Sequence, residues 1–396
     1  MIKREEYLKE LRAFREKRVI KVVSGIRRCG KSTLFDLFKE ELLADGVEKE
    51  QIISFNFESA DNYDIDDFRK LYKAVESRLC PNKMNYVFLD EVQQVREFQR
   101  ACDSLYILNN VDLYITGSNA MLLSGELATL LSGRYIEIKM LPLSFKEYIS
   151  VKGKNDLSRK YRDYLTKSSF PYTLELSRSK DIHSYLDGIY SSIVLKDIVA
   201  RKKIADAAML ENVIRFMFDN IGNPCSTTKI ANTLKSSGHN ISVHTVENYL
   251  KALCESFVLY KADRYDIKGK QYLRSGAKYY VADIGLRYYL LGQKPADLGH
   301  ILENVVYLEL LRRGYEVFVG KSDKSEIDFI AINEEDTEYY QVALTVRDEK
   351  TLLRELAPLE SVNDHNGKYL LTLDDDPPCS HNGIKQVNAL DWLLKE

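Results

Sequence analysis

Residues 25–32 read Gly-Ile-Arg-Arg-Cys-Gly-Lys-Ser and complete the pattern G-x-x-x-x-G-K-[ST]. This pattern constrains the fold because it works only between a strand and a helix. Both flanks comply. Residues 19–23 form an apolar run of strand length, and residues 33–38 carry apolar side chains at helical spacing. In that setting the backbone of Gly25, Ile26, Arg27, Arg28, Cys29 and Gly30 wraps a phosphate, and the helix N-terminus adds a favourable dipole. Lys31 then reaches the β- and γ-oxygens, Ser32 holds Mg2+, and Thr33 is placed for the α-phosphate. The expected ligands are ATP and Mg2+.

Two acids end a second apolar strand, where residues 86–91 read Tyr-Val-Phe-Leu-Asp-Glu. Open α/β sheets bind ligands at the C-terminal ends of their strands. Asp90 is therefore the expected carboxylate of the Mg2+ shell, and Glu91 the base that polarises the attacking water. A third strand, 112–116, runs into Gly117, Ser118 and Asn119. Asn119, with Ser118 as the other choice, is placed to touch the γ-phosphate or the water; the bland alternative is an ordinary turn. Arg134 precedes an alternating strand at 135–138. It is a candidate cation for γ-phosphate charge, in cis or from a neighbouring subunit, against a surface arginine paired with Glu137.

The segments GIRRCGKST, FLDEVQ, YITGSNA and LSGRYIEIKMLPLSFKEY together resemble the prokaryotic AAA-type ATPases that carry a further C-terminal domain. The likeness continues through residues 191–198 and covers nearly the whole chain. Family members often have Gly-Gly before the Phe-Pro that is Phe170-Pro171 here; this chain has Ser168-Ser169, a change expected to touch only a loop. The resemblance implies an α/β P-loop NTPase core with a parallel sheet over residues 1–150 and a helical lid over 151–204.

With 396 residues the chain has room for two or three domains. A formal net charge of -2 gives no global attraction to nucleic acid, so any DNA contact must come from a local patch. The six cysteines are scattered without a C-x-x-C pair, which argues against structural zinc and a disulfide framework and fits reduced thiols in the cytoplasm. The charged opening residues suggest no signal peptide. No apolar run approaches the ~18 residues of a membrane span.

Residues 205–292 lose the α/β alternation. Helical patterns at 210–218, 226–234 and 242–256, followed by strands at 257–260 and 278–281, fit a winged helix. His244, Thr245 and Asn248 are candidates for base edges of double-stranded DNA, and Lys251, Lys268, Lys270 and Arg274 for its phosphates. Yet the second helix of the pair also carries Glu247 and Glu255. DNA contact and a packing or oligomer role both stay open.

From 293 the pattern becomes helix, three strands and helix, which resembles the restriction-endonuclease-like core. Cleavage in that core needs acids that bind Mg2+ and a lysine that helps activate water. Glu303 and Asp328 match the acids, but the third position reads Gln341-Val342-Ala343. A nuclease fold without nuclease activity is expected. The function that follows is a Mg-dependent ATPase acting on or regulated by DNA. The rivals are a slow ATP switch or scaffold that binds a protein partner and, disfavoured by Gln341 and Ala343, an ATP-gated nuclease. A homo-oligomer is required only if Arg134 acts in trans.

Overall fold

The computed structural model describes residues 2–118, 133–200, 202–267, 269, 271–294, 297–321 and 325–395. The chain forms two compact units, Met1–Pro142 with Glu255–Phe257, and Leu143–Cys254 with Val258–Glu396.

The first unit is built on a five-stranded sheet made of β1 (Ile20–Ser24), β2 (Ile52–Asn56), β3 (Asn85–Asp90), β4 (Val111–Gly117) and β5 (Tyr135–Lys139). Its order is β2-β3-β4-β1-β5, and every pairing is parallel. Parallel strands are buried on both faces and so read as continuous apolar runs. β1 and β3 are buried at every position, which is why both stand out in the sequence. Phe88 on β3 stacks on Tyr114 of β4 at 4.7 Å, and Phe35 of the helix Lys31–Ala44 meets Phe88 edge-on at 5.1 Å. That contact fixes the helix over the sheet. The strand order puts β4 between the strand that feeds the glycine loop and the strand that ends in the two acids.

The second unit opens with helices Phe145–Lys152, Leu157–Lys167 and Ser179–Ser192, the last continuing into a π-helical stretch, Ile193–Ala200. Ser144 and Glu147 cap the first of these reciprocally, side chain to backbone in both directions. Helices Ala207–Asp219, Thr227–Ser236 and Val243–Glu255 follow, and the Ser226 hydroxyl caps the middle one at the Lys229 N–H.

An eight-stranded sheet completes this unit, with β6 (Leu259–Asp266), β7 (Gln271–Val281), β8 (Glu316–Lys321), β9 (Glu326–Ile332), β10 (Thr337–Val342), β11 (Gly367–Thr372), β12 (Cys379–His381) and β13 (Ile384–Asn388). Its order is β12-β13-β11-β10-β9-β8-β6-β7. β6 and β7 form the expected antiparallel hairpin. The hairpin does not stand apart, however. β6 pairs in parallel with β8 through Arg264–Val319, Tyr265–Gly320 and Asp266–Lys321, so sheet hydrogen bonds cross the boundary expected near residue 292. Helix Leu298–Arg312 joins the two strand groups. No helix among the described residues is long and apolar enough to cross a membrane.

Candidate nucleotide-binding site

β1 ends at Ser24, the glycine loop follows, and the helix begins at Lys31. Gly30 has φ 106°, a left-handed conformation that glycine adopts without strain. At Gly25 a Cβ would lie 2.2 Å from the carbonyl oxygen of Met140, so no side chain fits there. Arg4 secures the loop from outside, donating to the Cys29 carbonyl at 3.0 Å and the Leu141 carbonyl at 2.7 Å. Sequence reasoning passed over Arg4, because no motif marks it.

Lys31 is buried. Its Nζ donates to the Gly25 carbonyl at 3.0 Å and lies 3.6 Å from Glu91 Oε1. Asp90 is held by hydrogen bonds from Ser32 and from the Thr116 hydroxyl, and Asn56 Nδ2 donates to its Oδ2 at 3.1 Å. Burial raises the Asp90 carboxyl above the usual aspartate range, while those hydroxyls work against the rise. Glu91 is in the left-handed region, φ 54°, unusual for a residue with a side chain. Burial favours its neutral form, but the Lys31 ammonium, the Gln93 amide and Arg27 outweigh burial and lower its pKa. Gln93 Nε2 donates to Glu91, and Gln93 Oε1 is buried without a hydrogen-bond partner among the described residues. An orphaned acceptor beside a base suits a site that receives a water, which can donate to it. Ser32 and Asp90 supply oxygen donors, the ligand type Mg2+ prefers. The residues present therefore fit a Mg-nucleotide.

The structure thus brings together Gly25, Gly30, Lys31, Ser32, Asp90 and Glu91. Ser118 is buried and takes a 3.5 Å contact from Gln93 Nε2. Asn119 lies outside the described residues. Arg134 is not part of this cluster within its own chain. Its carbonyl accepts from Ile20 N–H at 2.8 Å, so it stands at the start of β1, whereas the loop follows the end of that strand. Its guanidinium pairs with Asp103 and lies 5.6 Å from the Tyr106 ring; Glu137, the partner considered from sequence, accepts from Ser24 instead.

In the second unit the candidates of the C-terminal region also converge. Lys278 Nζ on β7 lies 2.9 Å from both Glu303 and Glu326 and 3.7 Å from Asp328. Tyr280 donates to Glu303 at 2.7 Å. Gln341 Nε2 donates to Glu355 at 2.9 Å, and Asp328 Oδ2 accepts from the Val342 N–H at 2.9 Å. An ammonium from β7 thus joins these acids, which the linear motif could not show. Among the described residues no group of three or more acids, histidines or cysteines is arranged to hold a metal. His244 and Asn248 are exposed and hydrogen-bonded to each other at 3.2 Å.

Residues 17–149 match the model of an AAA domain, and residues 158–297 match a domain of unknown function, DUF8612. A Haemophilus influenzae protein is 41% identical over 100% of this chain and 99% of its own length. The Methanocaldococcus jannaschii protein MJ1544 is 30% identical, over 80% of this chain and 72% of its own. Among solved structures the Walker-type ATPase PABY2304 of Pyrococcus abyssi superposes with a TM-score of 0.52 at 15% identity, covering 73% of this chain and 96% of that one. The fold is that of a P-loop ATPase, and the chain belongs to the family of AAA-domain proteins that includes the Haemophilus influenzae and Methanocaldococcus jannaschii relatives.

Proposed function

We propose that this protein is a Mg-dependent ATPase whose turnover is coupled to double-stranded DNA. The observation that carries the catalytic part is the convergence of Lys31, Ser32, Asp90 and Glu91 at one edge of a parallel sheet, with Glu91 3.6 Å from Lys31. Lys31 binds phosphate oxygens, and the loop N–H groups orient them. Mg2+, held through Ser32 and Asp90, supplies charge neutralisation on the phosphates when bound. Glu91 takes a proton from water as the water attacks, and the Lys31 ammonium and Gln93 amide favour its ionised form against burial. The DNA part rests on the helix pair Thr227–Ser236 and Val243–Glu255 with its exposed His244 and Asn248. The C-terminal cluster is proposed to be without nuclease activity, because Gln341 and Ala343 stand where such a core needs an acid and a lysine.

The test is Mg-ATP turnover of the wild type and Glu91→Gln, with and without duplex DNA, at about 50 mM and 200 mM salt, since phosphate contacts weaken with salt. Turnover that rises with DNA and is lost in the variant supports the proposal. Tight nucleotide binding with negligible turnover and no response to DNA would favour a switch that binds a protein partner.

A further inference from the structure

Besides Lys31, the glycine loop carries two further cations, Arg27 and Arg28. Transfer of a terminal phosphoryl group spreads negative charge over its oxygens, and a cation in addition to the loop lysine speeds the reaction wherever one is placed. Arg134 cannot serve its own chain, since it stands at the other edge of the sheet. Arg28 is exposed, in the left-handed region at φ 69°. Arg27 differs from both. It is buried, at 9% exposure, at the third position of the loop. Its field also reaches the Glu91 carboxylate, which it helps to keep ionised.

Arg27 has a specific partner. Its Nη1 donates to Glu58 Oε1 at 2.6 Å. Glu58 follows β2, and its N–H donates to Asn56 Oδ1 at 2.9 Å. Asn56 in turn donates to Asp90. The arginine is thereby tied, through two residues, to the carboxylate assigned to Mg2+. Glu58 is exposed, with 43% of its side chain accessible, whereas Arg27 is largely buried. Ion pairs with so much water access are weak. A multiply charged phosphate, which a guanidinium can grip with two N–H bonds, competes well against a carboxylate so open to water.

We propose that Arg27 is the cation this chain places on the terminal phosphate of ATP in cis, and that Glu58 holds it when that phosphate is missing. In the step itself the water oxygen bonds to the γ-phosphorus and the bond from phosphorus to the bridging oxygen breaks. The electron pair leaves on the β-phosphate of ADP, and the water proton goes to Glu91. Arg27 stabilises the charge on the transferring group, and its exchange between Glu58 and phosphate makes the site distinguish ATP from ADP. This rests on the ATPase reading for the hydrolytic step, but the discrimination does not.

Two measurements on purified full-length chain test it: steady-state turnover, and equilibrium binding of ATPγS and ADP with Mg2+, for wild type, Arg27→Ala, Arg27→Lys and Glu58→Gln. Arg27→Ala is expected to lower kcat by about 10³-fold. ADP affinity should stay near the wild-type value while the preference for ATPγS over ADP disappears. Arg27→Lys should recover part of both. Glu58→Gln should bind ATPγS more tightly than wild type. Unchanged kcat in Arg27→Ala, or equal loss of ATPγS and ADP binding, would overturn the proposal; equal loss marks a merely structural arginine. If the wild type does not turn over at all, the ATPase reading falls. The binding comparison then decides alone: preference lost in Arg27→Ala supports the arginine's role, and preference kept refutes it.

Discussion

Thr116 on β4 binds both acids of the neighbouring strand: its hydroxyl donates to Asp90 Oδ1 and accepts from the Glu91 N–H at 2.9 Å. One side chain, fully buried, thus sets the aim of the carboxylate assigned to Mg2+ and the backbone of the carboxylate assigned to water.

Thr116→Val keeps the shape and removes both bonds. A buried N–H left without an acceptor costs about 1–3 kcal/mol. The variant should melt at a lower temperature and lose turnover more steeply than nucleotide affinity, as thermal denaturation and a kcat-against-KM comparison would show. Unchanged values would mean that strand packing alone aims the acids.

Gly25→Ala places a methyl where the Met140 carbonyl oxygen already is, 2.2 Å away. The loop must shift to admit it. Nucleotide binding, followed by a fluorescent analogue, should fall by at least about tenfold, equivalent to about 1.4 kcal/mol. Far-UV circular dichroism should be preserved.

Lys278 is 4% exposed and faces three carboxylates. Lys278→Met removes the ammonium they share, and breaking a buried pair costs about 3–5 kcal/mol. Adding Glu303→Gln to that background should recover part of the loss. A double-mutant cycle by chemical denaturation measures the coupling, and strict additivity would show that the pair does not interact.

The same cluster predicts a pH dependence. Burial and the neighbouring Glu303 push the Asp328 carboxyl from the ordinary 3.8 up to about 7, against the pull of Lys278. Between those values the folded chain holds a proton that the unfolded chain has released. The contribution of Asp328 to stability therefore falls as pH rises through that window. His300 acts in the same direction, since its hydrogen bond with Glu303 raises its pKa above 6.5 and its contribution is lost as pH rises through the raised value. Melting temperature measured across the window should decline less in Asp328→Asn than in the wild type.

The strands β1, β3 and β4 were readable because they are buried on both faces, and their C-terminal residues carry the chemistry. β2 was not. It is a sheet edge with alternating burial, so Ile52–Asn56 carries no long apolar run. Asn56 and Glu58, which lie at its end, stayed hidden with it. The position of Arg134 depends on which end of β5 pairs with which end of β1, a register that only the folded sheet defines. Lys278 was invisible for a related reason. It is 25 residues from Glu303 in sequence, and the parallel pairing of β6 with β8 brings its hairpin into the sheet that carries Asp328.

That pairing has a practical consequence for anyone dissecting the protein. A chain stopped in the loop after Leu291 would not release a free-standing module. It would strip β6 of β8 and turn an inner strand into an open border, with N–H and C=O groups ready to template another copy. Self-association seen only in such a fragment would report the cut, and nothing of how the intact chain assembles.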